Sequence, residues 1–157
     1  MHIFGREESI ILQTRKRTNI TNFQSKEISQ VNRNYFNKIE KKHPRAEKRS
    51  NPSGLYNCHG MVFASKRCFI ENPSDILIIL SDDEYKEISI DQVLPGDVVI
   101  YFSGGDVEHS GIVIEKPKPP LYVPRVISKW ACHAEFIHYF NDCPYDCSEV
   151  RYYRIFE

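Results

Sequence analysis

Apolar residues fall at helical spacing early in the chain and gather into short strand-length segments between turn residues through much of its second half. From Ser25, the positions Ile28, Val31, Tyr35 and Ile39, with Phe36 beside them, share one helical face. That spacing predicts a helix with Ser25 as its N-cap, ending before Pro44, with Lys41 and Lys42 suited to the negative end of its dipole. Asn51-Pro52-Ser53-Gly54 is turn chemistry. A second helix is expected from Tyr56–Cys58 to about Ile70, burying Met61, Val62, Cys68 and Phe69, with Asn72-Pro73-Ser74-Asp75 as its stop. Ile76–Leu80 fits either a helix or a strand. Strands are expected at 88–90, 98–102, 109–115, 125–130, 135–140 and 150–156, and the four prolines of 116–124 require a loop. Helices followed by an antiparallel meander predict an α+β fold.

Composition changes the picture through its distribution. The 157 residues carry 21 basic and 21 acidic side chains. Residues 1–50 hold 12 basic and 5 acidic groups, a net of +7, and residues 51–157 hold 9 and 16, a net of −7. The chain therefore reads as a basic N-terminal arm and helix (1–50) joined to an acidic domain (51–157). An apolar fraction of 41% is enough for a core and excludes wholesale disorder. No apolar run is long enough to span a membrane, and no signal peptide is evident, so the expected location is cytoplasmic; export independent of a signal would leave no trace. The clustered Lys and Arg of the arm raise an anionic partner such as nucleic acid, or docking on the acidic part of the same chain. A solvated basic face is the simpler account.

The sharpest chemistry is Tyr56-Asn57-Cys58-His59-Gly60 at a turn-to-helix junction. A cysteine there meets unpaired backbone N–H groups, which favour thiolate. The Cys58 N–H itself is a candidate oxyanion donor. A nucleophilic thiol needs a base, and His109 at the start of an apolar strand is the candidate. His59, adjacent to the thiol on the helix, points elsewhere and is expected to line the cleft with Asn57.

These stretches resemble the NlpC/P60 group of papain-like cysteine peptidases and amidases, and more distantly the CHAP amidases. The resemblance rests on Asn57-Cys58-His59-Gly60, on Leu94-Pro95-Gly96-Asp97 leading into Val98–Phe102, and on His109-Ser-Gly-Ile-Val-Ile. It spans roughly residues 51–140, with 51 residues from Cys58 to His109. It implies a papain-like fold, with a helix carrying the thiol packed on an antiparallel sheet carrying the histidine. It also implies amide or peptide cleavage through a thioester, without a cofactor. The substrate class would be a cell-wall peptide or an isopeptide. Tyr56 matches an upstream tyrosine that serves the oxyanion in that group. Two departures stand out. The family's Asp-Cys-Ser-Gly is Asn-Cys-His-Gly here, and the third residue, which orients the base, has two rivals. Ser128 sits at about the family's position, and His138, one strand further on, is the better acceptor and the preferred choice.

Two other readings compete. One is a non-catalytic binding module on the same fold, or an acyltransferase using the same Cys–His pair. The other is a zinc site among Cys132, His133, His138, Cys143 and Cys147, whose spacing is poor for tetrahedral ligation, so no metal is expected. A Cys143–Cys147 disulfide is geometrically feasible but not expected in a reducing compartment.

Overall fold

The computed structural model describes residues 8–156. It is a mixed α+β fold: one seven-stranded antiparallel sheet and a few helices. In chain order the elements are α1 (Gln30–Lys41), β1 (Glu47–Lys48), α2 (Cys58–Phe63), α3 (Pro73–Asp82), β2 (Tyr85–Ile88), a 3-10 turn (Ile90–Gln92), β3 (Val98–Ser103), β4 (Asp106–Glu115), β5 (Arg125–Lys129), β6 (Glu135–Tyr139) and β7 (Glu149–Ile155). The sheet order is β1-β6-β5-β4-β3-β7-β2.

Alternation divides the sheet's side chains into two layers. Val98, Ile100 and Phe102 of β3, with Val107 of β4, pack under Ala64, Ile76, Ile79 and Leu80 from the α2–α3 side. Val99, Tyr101, Val113, Val126, Phe136 and Tyr152 face the other way, together with Trp130. There Ile39 of α1, Ala46 and the loop residues Phe140, Tyr145 and Cys147 cover them. A bulge interrupts the β3–β4 register: Tyr101 pairs with His109 and Phe102 with Val107, so Glu108 is the extra residue. The bulge sends His109 into the Tyr101 layer.

Several local expectations need correction. Helix α1 starts at Gln30 with Ser29 as its cap, not at Ser25, because the Ser29 side chain accepts from the Asn32 N–H while the Ser25 N–H donates to the Gly54 carbonyl. Its buried side carries Phe36, with Ile39 partly covered; Val31 and Tyr35 are 77% and 56% exposed. Helix α2 is only six residues long. Ser65 and Lys66 take positive φ (50° and 63°), the chain doubles back, and Phe69 bridges Phe23. Asn72-Pro73 begins a helix instead of merely ending one: Asn72 caps the Ser74 N–H and Pro73 occupies the first turn of α3.

The N-terminal arm is ordered from residue 8. Its bridges Glu8–Gln24 and Gln13–Asn19 form a loose hairpin that puts Ile20 into the core, with Ile10 and Leu12 against it. Its turn sits on the acidic end of α3. The hydroxyls of Thr14 and Thr18 donate to Asp82 at 2.6 and 2.7 Å, and the Arg15 N–H donates to Asp83 at 2.8 Å. The expectations that fall on residues 1–7 lie outside the described part. Among the described residues, no helix is long and apolar enough to cross a membrane.

Candidate active site

Cys58 opens α2, and the turn before it is held from three directions. The Asn57 side-chain oxygen accepts from the Gly60 N–H at 2.9 Å and the Ile70 N–H at 3.1 Å, while its amide nitrogen donates to the Ile70 carbonyl at 2.8 Å. Asn57 is thus committed to capping and to stapling the returning chain. Gly60 is required for the same close approach: a Cβ there would stand 1.6 Å from the Cys68 carbonyl oxygen. The third support comes from β5. Lys129, fully buried, donates to the carbonyls of Ser53 (2.7 Å), Tyr56 (2.9 Å) and Ala131 (2.7 Å). Its ammonium lies 4.6 Å from the centre of the Tyr56 ring. Burial pulls the Lys129 pKa down to about 7, against the pull of Cys132, Cys58 and Glu135. The Tyr56 hydroxyl donates to Glu135 at 2.8 Å, and Glu135 also pairs with Lys66 at 2.8 Å. The phenol is therefore tied to a carboxylate rather than aimed at the sulfur.

The Cys58 thiol is 5% exposed. Burial pushes its pKa up to about 11, opposed by the backbone N–H and hydroxyl of Ser110, the backbone N–H of His59 and the charge of Lys129. Ser110 is the residue after His109 on β4. Its hydroxyl also lies 2.7 Å from Nδ1 of His59, a ring that burial pushes down to about 4 and so keeps neutral. Thiol, Ser110 and His59 therefore form one contiguous cluster on the α2 side of β4.

His109 is fully buried, and neither ring nitrogen has a hydrogen-bond partner among the described residues. Its ring stacks on Tyr145 with centroids 3.7 Å apart and planes within 9°, and Tyr101 lies 5.2 Å away. Burial drives its pKa well below 6.5, helped by the proximity of His138 and His59. The two rival orienters are bonded to each other: Ser128 Oγ and His138 Nε2 are 2.7 Å apart, and His138 Nδ1 donates to the Tyr139 carbonyl at 2.7 Å. With Nδ1 carrying the proton, Nε2 accepts from the Ser128 hydroxyl. Ser128 stands directly across from Gly111, two residues from His109 on the same layer. Burial pushes His138 down to about 4.

The structure thus brings Cys58, His59 and Ser110 together, and separately His109, Ser128 and His138. The two groups meet at the His109–Ser110 step of β4. Tyr145 spans them: it stacks on His109 and is close enough to Cys58, Cys132 and Glu108 for their charges to raise its phenol pKa, already lifted by burial. Tyr145 also lines a cavity of about 250 Å³ with Tyr35, Phe36, Ile39, Glu108, Ala131 and Pro144. Sequence reasoning missed Ser110, Lys129 and Tyr145. The signal for Ser110 was its place beside the base, and for Tyr145 its place between two cysteines. A lysine at a strand end carries no sequence mark of burial.

The residues considered for zinc are dispersed. Cys132 packs with Phe36 and Phe69, His133 bonds Glu40 at 2.9 Å, and only Cys143 and Cys147 adjoin. No set of three or more His, Cys, Asp or Glu among the described residues is arranged to hold a metal ion. All five cysteines are free thiols. Compared with protein-family models, curated proteins and solved structures, the chain has no match in any of the three.

Proposed function

We propose that the chain is a papain-like thiol hydrolase of the NlpC/P60 type, in which Cys58 attacks an amide carbonyl and His109 is the base. The observation that carries this reading is His109 itself. Two unpaired nitrogens on a fully buried ring cost about 1–3 kcal/mol each, and His109 carries both, where Trp130 Nε1 and the Tyr152 hydroxyl are single unpaired groups. Consecutive strand residues face opposite sides, so the unpaired, neutral imidazole lies one residue along β4 from the N–H that faces the thiol, and it takes that thiol's proton once the ring swings toward the α2 side. The bulge at Glu108 that aims the ring is also a feature common beside active sites.

The resting state is closed and uncharged, because burial raises the thiol pKa and lowers the imidazole pKa. Displacing Tyr145 admits water or substrate, relieves desolvation at both groups and brings the ion pair within reach. Cys58 then passes its proton to His109 and its sulfur adds to the carbonyl carbon. The tetrahedral oxyanion accepts from backbone N–H groups at the start of α2. Collapse expels the amine, which takes the proton from His109 and leaves a thioester. Water, deprotonated by His109, releases the acid and restores the thiol. Ser128 and His138 act as a neutral, hydrogen-bonded backing for the His109 layer, with His138 the favoured orienter once the ring moves. No cofactor enters this scheme. An amine in place of the final water would make the same site an acyltransferase.

The burial of Cys58 and His109 favours a second reading, a binding module in which the thiol is simply packed. Screening peptidoglycan fragments and model isopeptides separates the two. Cleavage by the wild type and its loss in both Cys58→Ala and His109→Ala supports the hydrolase; cleavage that survives Cys58→Ala excludes it.

A further inference from the structure

Tyr145 sits between two cysteines in the sequence Cys143-Pro144-Tyr145-Asp146-Cys147. Their sulfurs are 3.8 Å apart; both lie within reach of the Phe140 carbonyl, at 3.7 and 3.8 Å, and Cys147 is closer still to the Tyr145 carbonyl, at 3.2 Å. A disulfide needs about 2.05 Å, so the sulfurs have under ~2 Å to close. Cys143 is buried and Cys147 partly exposed, the arrangement of an inner and an accessible thiol. The segment is anchored outside the pair as well. The Asp146 N–H donates to Glu108 at 3.0 Å, Asp146 accepts from the Ser103 hydroxyl at 3.1 Å, and Asp142 bonds His43 at 2.9 Å. Glu108 is the bulge residue next to His109, so the loop and the base are braced by the same feature.

We propose that Cys143 and Cys147 form a reversible redox site: exchange with a small-molecule disulfide such as oxidised glutathione links them and locks Tyr145 over His109. The Cys147 thiolate attacks one sulfur of the incoming disulfide, whose S–S bond breaks and releases one glutathione thiolate. Cys143 loses its proton to solvent, and its sulfur attacks Cys147 Sγ in the mixed disulfide, expelling the second glutathione. Two protein thiols are oxidised, one disulfide is reduced to two thiols, and no oxygen is needed. The Cys143 hydrogen bond lowers the Cys147 pKa, which assigns Cys147 the attacking role. Because the sulfurs already adjoin with Tyr145 stacked, oxidation fixes the covering position, and reduction leaves the loop free to lift. Control of catalysis at Cys58 rests on the hydrolase reading; the formation of the bond and the shielding of the thiol do not.

The test uses the full chain equilibrated with oxidised or reduced glutathione. Remaining thiols are alkylated and located by mass spectrometry. The expected result in oxidant is a peptide holding Cys143 and Cys147 that is two hydrogens lighter and unalkylated, with Cys58, Cys68 and Cys132 still thiols. In Cys143→Ser, glutathione stays trapped on Cys147. Wild type that keeps both thiols free, or a mixed disulfide that never resolves, overturns the site. Native alkylation of Cys58 then reads the lock, since labelling of a buried thiol follows the open population. Oxidised protein should label about tenfold more slowly than reduced protein, and equal rates overturn the lock. Neither readout requires amide cleavage, so a failed hydrolase assay leaves both intact.

Discussion

Asn57 and Gly60 show how little freedom surrounds the thiol. Asn57→Ala strips the helix cap and leaves the Ile70 N–H and carbonyl unpaired in the interior, an expected loss of about 2–4 kcal/mol. Gly60→Ala forces a Cβ into the Cys68 carbonyl, which cannot yield without moving the returning chain, so a loss of at least about 3 kcal/mol is expected. Urea unfolding of both variants measures this; a Gly60→Ala protein of wild-type stability would mean that the two segments are not in contact. The thiol's own ionisation is the second residue-scale expectation. In resting protein the rate of Cys58 alkylation should rise with a midpoint near 11, and Tyr145→Ala should shift it down toward the ordinary thiol value by hydrating the site. A midpoint unmoved by Tyr145→Ala would show that Tyr145 does not shield the sulfur.

At the scale of elements, Lys129 joins the end of β5 to the turn before α2. Lys129→Met removes the donor from three carbonyls at once and should cost about 3 kcal/mol or more, read by thermal or urea unfolding. A neutral effect would mean that those carbonyls find other donors. The strands from 98 onward were legible because short apolar runs and the turn residues that bound them act locally, as in Gly104 and Gly105 at positive φ between β3 and β4. The Leu94–Asp97 turn was legible for the same reason: Gly96 takes a φ of 98°, and Asp97 accepts from the Leu94 N–H at 2.7 Å. The length of α2 was not, since its end depends on Ser65 and Lys66 adopting left-handed φ so that Phe69 can reach Phe23, a tertiary demand with no local mark. Within the candidate site, Cys58 and His109 were named from a turn-to-helix junction, the start of an apolar strand and their order in the chain. The layer that His109 occupies depends on a one-residue bulge, and periodicity cannot reveal an inserted residue.

For the molecule as a whole, several imidazoles are held neutral inside. His59 and His138 titrate near 4 when folded and near 6.5 when unfolded. Between those values the unfolded chain binds more protons, so stability is full above about 6.5 and is lost as pH falls toward 4, by about 3 kcal/mol per histidine. Urea midpoints should therefore drop between pH 7 and pH 4.5, and a His59→Gln/His138→Gln variant should show a flatter dependence. An unchanged slope in that variant would assign the acid sensitivity to carboxylates. The two parts of unlike charge are joined by specific bonds and not by their net charges: the arm's hydroxyls and backbone rest on Asp82 and Asp83, while Arg125 of the acidic part reaches back to Glu47 of the basic part at 3.0 Å.

The strand order has a consequence for synthesis. β7 is inserted between β3 and β2, pairing Val98 with Tyr153 on one side and Tyr85 with Ile155 on the other. A ribosome that has made everything through residue 148 has therefore produced two strands that cannot yet meet, each with an open edge. Assembly must wait for the final strand, and any product cut short before it exposes unpaired backbone that chaperones and proteases recognise. The β3–β7–β2 part of the sheet therefore forms only after residues 149–155 have been made.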